Sequence, residues 1–284
     1  NSIASGGNYN VVIGDEAGTA LTTGDNNVAV GFEALTTEDA NGSNTAVGFR
    51  ALKTLNAGTD SYNTAVGRNA GLSITTGVQN VIIGAQAGDA LTDADHNVAV
   101  GLYALTSDTQ GSKSTAVGWG TLVYQNFTSS TDSHNTAVGY TAGTNITTGI
   151  QNTLIGGLAG DALTDADFNV AIGKGALSAD TQGSKSTAVG VGALESQNFT
   201  SATNSLNTAV GVNAGNSLTT GTANTLIGAQ AGENLTSGQN VAVGQVALQN
   251  NVSGAYNTAI GRNALNSTTN QYNTAIGNGS GSLI

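Results

Sequence analysis

Sixteen copies of one short motif, N-[TV]-[AVIL]-[VI]-G-x-x-A-[GL], run along this chain and constrain its fold more than any other feature. With the Asn (Ser in two copies) as position 1, they begin at Asn10, Asn27, Asn44, Asn63, Asn80, Asn97, Ser114, Asn135, Asn152, Asn169, Ser186, Asn207, Asn224, Asn240, Asn257 and Asn273. Most steps are 17 residues; two are 16, one is 19 and two are 21. Apolar residues show no spacing of three and four, and the 41 glycines and many β-branched residues oppose a helix. A fixed period whose units cannot each bury an apolar face alone is the signature of a stacked array. The expectation is an all-β chain, a parallel β-solenoid of about sixteen coils of 16–21 residues, with 1–284 as a single stack.

Position 4 is Val or Ile in every copy, from Ile13 through Val138 to Ile276, which predicts that it faces the core. Successive strand residues point to opposite sides. Position 2 (Thr or Val) then shares the core side, while Asn, Ala and Gly at positions 1, 3 and 5 face out. Position 3 is Ala in twelve copies and Val12, Ile82, Leu154 and Leu226 in the rest. An outward ladder of small apolar side chains would form a strip large enough to mark an interface, so self-association through that face is expected. Position 9 runs two Gly and then two Leu, as in Gly71, Gly88, Leu105 and Leu122, so core volume oscillates every four coils.

Four coils make a 72-residue superrepeat, with blocks at 63–134 and 135–206, a shortened block at 207–256 and partial blocks at both ends. The extra residues of the longest coils fall in "YQNFTSSTDSHN" and "SQNFTSATNSLN", and loops are where solenoids carry binding function. Tyr124, Phe127, Phe199, Trp119 and Tyr140 are the candidate binding surface, since exposed aromatics stack on sugars, although scattered surface aromatics also occur without function.

Asp89, Asp93 and Asp95 recur as Asp161, Asp165 and Asp167. Hard oxygen ligands in a flexible loop suit calcium, which makes Asp93, Asp95, Asp165 and Asp167 the metal candidates. The flanking blocks lack the pattern, which favours solvated turn acids, and no cofactor is expected. Catalysis finds little support: His96 and His134 have Phe168 and Leu206 as their superrepeat counterparts, and abundant Ser and Thr make any triad uninformative. A carbohydrate-active spike would need two carboxylates on neighbouring coils, for which Asp95 and Asp108 are the nearest pair.

A net charge of -11, from 18 acids against 7 Lys and Arg, leaves no basic stripe for nucleic acid. Apolar runs are too short to span a bilayer. With no cysteine there is no disulfide, thiolate metal site or cysteine nucleophile, which fits an extracellular setting.

The motifs "NTAVGxxAL" and "NTAIGRNAL" resemble the head repeats of YadA-like trimeric autotransporter adhesins, and equally the NTAIG repeats of phage tail-fibre proteins. The resemblance spans residues 10 to 281. It implies a left-handed β-roll, assembly as a homotrimer, and attachment to a host-surface protein or glycan. Coils of about 17 residues are longer than those of the adhesin heads. The expected function is a non-enzymatic extracellular or virion fibre segment, structural and adhesive. An ice-binding solenoid is the other alternative; it needs an outward array of Thr, which Val interrupts at 11, 28, 81, 98, 170 and 241.

Overall fold

A computed structural model describes residues 7–267 and 269–282 of the chain and divides it into two compact units, 1–141 and 142–284. Both are parallel β-solenoids, without a helix among the described residues. Each motif copy supplies a three-residue strand from its positions 2 to 4. Eight run from Val11–Ile13 to Thr136–Val138 in the first unit, and eight from Thr153–Ile155 to Thr274–Ile276 in the second. Within each unit the strands of successive motif copies are neighbours in the sheet, parallel and in motif register, as in Val98↔Thr115, Ala99↔Ala116 and Val100↔Val117.

A coil this short must turn sharply, and it does so through left-handed corners at fixed places. In the coil of Asn97 these are His96 (φ 59), Gly101 (φ 138), Tyr103 (φ 60) and Leu105 (φ 54). Position 5 tolerates only glycine. A Cβ on Gly101 would meet the carbonyl oxygen of Gly118, its copy on the next coil, at 2.2 Å. Position 9 accepts Leu despite the cost of about 1–2 kcal/mol for a left-handed non-glycine residue, because Leu35, Leu52, Leu105, Leu122, Leu177 and Leu194 are fully buried there. Burial of that size contributes about 1.5–3 kcal/mol per side chain.

The inside and outside of the strands are the reverse of the sequence expectation. Position 3 lies in the core and is fully buried in every copy from Ala29 to Ala259, with the Asn or Ser of position 1 buried beside it. Position 4 faces outward, and Val66, Ile83, Ile155, Ile172, Val210, Ile227 and Ile260 are exposed. Alternation holds, but the invariant branched residue marks the outer face. The roll is too thin to take a Val or Ile at every rung, so the smallest apolar side chain sits where the walls are closest. The larger exceptions fit because their coils carry Gly at position 9. A Cβ on Gly88 would lie 3.1 Å from Ile82 Cδ1, and one on Gly160 2.8 Å from Leu154 Cδ2.

The same volume rule explains the four-coil oscillation. Where position 9 is Gly, position 12 is a large apolar residue that fills the space, such as Ile74, Leu91, Ile146 or Leu163. Where position 9 is Leu, position 12 is usually polar: Glu38, Asp108, Gln125, Asp180, Gln197 or Asn251, all buried.

Adjacent residues in one strand therefore respond oppositely to substitution. Ala99→Asp places an unpaired charge in the core and lowers stability by several kcal/mol, whereas Val100→Thr on the outer face costs less than about 1 kcal/mol. Thermal denaturation of the two variants checks this, and the opposite ranking would refute the assignment of faces.

Candidate functional site

The structure offers three surfaces for recognition: the outer sheet face of positions 2 and 4, the wall that follows the motif Gly, and the loops of the longest coils. The last were the principal expectation, yet their phenylalanines turn inward. Phe127 and Phe199 are each only 6% exposed and cover buried carboxylates. Asp108 Oδ1 accepts from the backbone N–H groups of Gly111 and Phe127, both at 3.0 Å, and its Oδ2 accepts from Gln125 Nε2 at 2.6 Å. Asp180 repeats this arrangement with Gly183, Phe199 and Gln197. Both phenylalanines leave the expected binding surface because the loop N–H groups are needed by a carboxylate inside the coil.

These networks stand where Ser replaces Asn at position 1. Gln125 Nε2 also donates to Ser114 Oγ at 2.8 Å, and Gln125 Oε1 accepts from Asn135 Nδ2 at 2.9 Å. Ser114 Oγ and Ser133 Oγ are 2.5 Å apart. The shorter Ser leaves a polar gap, and Gln with its buried Asp fills it. Asp108 is thereby fully committed, so Asp95 and Asp108 are no exposed carboxylate pair.

The other three aromatic candidates are on the surface. Tyr124 is 56% exposed. Trp119 and Tyr140, at position 6 of successive coils, stack with ring centroids 5.0 Å apart and planes 10° from parallel. Phe32 with Phe49, and Tyr256 with Tyr272, stack in the same coil-to-coil way at 5.5 Å and 4.9 Å. Such pairs follow from the repeat, since an aromatic at the same position of neighbouring coils lands face to face with its copy.

Each acidic pair splits into one structural and one exposed residue. Asp95 Oδ1 accepts from Val78 N–H of the preceding coil at 2.8 Å, and Asp167 Oδ1 from Ile150 N–H at 2.8 Å. Asp93 and Asp165 are exposed and are bonded by the hydroxyls of Thr92 and Thr164 at 3.2 and 3.3 Å. Among the described residues no group of three or more His, Cys, Asp or Glu is placed to hold a metal ion. Elsewhere, burial raises the pKa of Asp161. Glu38 is fully buried; its Oε1 accepts from Asn41 N–H at 3.2 Å while Oε2 has no partner. Burial pushes this carboxyl above the usual glutamate range, against the Asn41 N–H. Leu55 occupies the place that Gln125 and Gln197 hold beside Asp108 and Asp180.

Sequence reasoning placed Trp119 and Tyr140 of this wall on the binding surface and missed its extent. Blocks 63–134 and 135–206 differ at 22 of 72 positions, and thirteen of those differences fall at motif positions 6, 7, 10 and 11. The core positions barely change, so the duplicated blocks diverged chiefly on one surface. In the second unit that wall contains a cleft of about 300 Å³. Its floor is Gly175 and Gly192, its flanks are Leu158 and Val191, and Lys174, Ser178, Glu195 and Asn213 supply its polar groups. A comparison of the two blocks position by position carries the signal that would have found it. No known protein family matches the sequence, and no curated protein does.

Two outcomes follow from these carboxylates. The raised pKa of Glu38 makes its contribution to stability full below the ordinary glutamate range and lost as pH rises through the raised value. Glu38→Gln should therefore gain melting temperature over the wild type as pH increases from about 4 to 8; a constant difference across that range would contradict a raised Glu38 pKa. For the acidic turns, chelator should leave the melting temperature within about 2 °C, less than about 1 kcal/mol for a chain of this size. A loss of about ten degrees would identify Asp93, Asp95, Asp165 and Asp167 as ligands.

Proposed function

We propose that this chain is a segment of an extracellular or virion fibre, structural and adhesive and without enzymatic activity, whose copies associate through the outer sheet face. The observation that carries the reading is the make-up of that face. Every coil presents Thr or Val at position 2 and Val or Ile at position 4, and none of these strand residues is buried in the chain on its own. Eight rungs about 4.8 Å apart form a strip about 35 Å long in each unit. A strip of paired β-branched side chains that long exceeds the few hundred Å² that monomers usually expose.

A closed ring of copies buries every strip at once, which an open pair does not. The adhesin heads and tail fibres that the motif resembles are homotrimers, and three is the number we adopt. The expected interface thus moves from the face of Asn and Ala, which is the core, to that of Thr, Val and Ile. Attachment to a host-surface protein or glycan then falls to the outward walls and loops.

The outward row of Thr favours a second reading, an ice-binding face. Val interrupts the row at six coils, and Val or Ile accompanies Thr on every rung where Thr occurs. Burial of the face in an oligomer would remove it from ice altogether, so the two readings exclude one another.

Sedimentation separates them. Wild-type protein should run as a trimer, and a Val66→Lys, Val210→Lys double variant, altered at two exposed positions of the face, should run as a folded monomer. A wild-type monomer of 27.9 kDa at micromolar concentration would overturn the oligomer, and thermal hysteresis from that monomer would establish the ice-binding reading instead.

A further inference from the structure

The cleft of the second unit exists because two neighbouring coils carry glycine at position 7. Gly175 and Gly192 leave a gap in a ladder that Leu158 and Asn213 continue on either side. A Cβ on Gly175 would have nothing nearer than Glu195 Oε1 at 3.8 Å and Ser178 Oγ at 4.0 Å, whereas one on Gly192 would meet Asn213 Oδ1 at 2.6 Å, so the open space lies over Gly175 and Asn213 borders it. Its polar groups are mixed in kind. Lys174 has no ion pair or hydrogen bond from its side chain among the described residues. Glu195 Oε2 accepts from Asn216 Nδ2 at 2.7 Å, which fixes the carboxylate and leaves Oε1 toward the gap.

The equivalent place in the first unit carries larger side chains. Tyr103 stands for Gly175, Leu102 for Lys174, Trp119 for Val191 and Val123 for Glu195. Tyr103 has φ 60 and Gly175 φ 65, so the backbone is the same and only the side chains differ. A change from four apolar or aromatic residues to a cation, a carboxylate and an open floor alters what the wall recognises while leaving the scaffold intact.

We propose that the Lys174–Glu195 cleft binds a single pyranose ring of a surface saccharide. A sugar presents hydroxyls that both donate and accept, and the cleft offers an ammonium donor, a carboxylate acceptor and a hydroxyl that does both. It also presents a C–H face, which Leu158 and Val191 match with apolar contact. A volume of about 300 Å³ is at the lower end for ligand pockets, suited to one ring and not to a long chain. The proposal rests on the adhesive fibre reading and names its ligand class.

The test is ligand-detected NMR on the full chain with a panel of neutral hexoses and N-acetylhexosamines, with free glycine as the zwitterionic control. At least one sugar should bind saturably with a Kd of about 1–10 mM. Gly175→Tyr and Glu195→Val, which copy residues that the first unit already accommodates, should each weaken binding by about tenfold or more without lowering the melting temperature. Absence of saturable sugar binding, binding of glycine in place of sugars, or undiminished binding in Gly175→Tyr would overturn the proposal. Sedimentation of the same samples keeps the two readings apart: a trimer that binds no sugar sinks the cleft alone, and a monomer that binds sugar sinks the fibre alone.

Discussion

The buried Asn ladder is the interaction on which every coil depends. The backbone N–H of Asn80 donates to Asn63 Oδ1 at 2.9 Å, that of Asn97 to Asn80 Oδ1 at 2.9 Å, and that of Ser114 to Asn97 Oδ1 at 2.8 Å. The same side chain then reaches across the interior. Asn80 Nδ2 donates to Ala94 O and Asn97 Nδ2 to Gly111 O, at 2.8 and 2.9 Å. One residue thereby satisfies a buried amide of the next coil and a buried carbonyl on the far side of its own, groups that would each cost about 1–3 kcal/mol if left unpaired. A coil lifted out of the stack loses both its donor and its acceptor, so the unit of stability is the neighbour pair.

The two Ser copies show how strict that requirement is. At Ser114 and Ser186 the short side chain does not span the interior, and each time the same set of residues appears: a Gln at position 12 of that coil, a buried Asp one coil earlier, a second Ser and four extra residues before the next motif. The long loops thus serve the core. Their apparent binding residues, Phe127 and Phe199, belong to the lid over a buried carboxylate. Glu38 is an incomplete version of the arrangement, with the acid present and the Gln absent.

A scaffold this tightly specified leaves few positions free. Position 5 excludes any Cβ, position 3 admits a large residue only beside Gly at position 9, position 1 is bound into the polar interior, and position 12 is buried as a large apolar residue or as part of a polar network. Freedom remains on the wall after the motif Gly, and there the duplicated blocks differ most. Ladders also dictate the form of variation, because a residue repeated on successive coils stacks, as Trp119 on Tyr140, and two successive glycines open a cleft.

The sequence by itself determined the all-β solenoid, its coil count and its alternation, because a strand period of two inside a coil period of 17 admits no helix and requires identical residues to stack. It also determined that one apolar ladder must face out, since position 3 and position 4 are both apolar and lie on opposite sides. Which ladder that is, only the tertiary structure decided. Invariant Val and Ile at position 4 read as core by hydrophobicity, yet Ala99 is inside and Val100 outside. The deciding quantity is the distance between the walls of the roll, set by left-handed corners at residues such as His96, Tyr103 and Leu105, where side-chain chemistry gives no hint of positive φ. Width fixed by those corners leaves room for Ala under a buried Asn and none for a continuous row of Val.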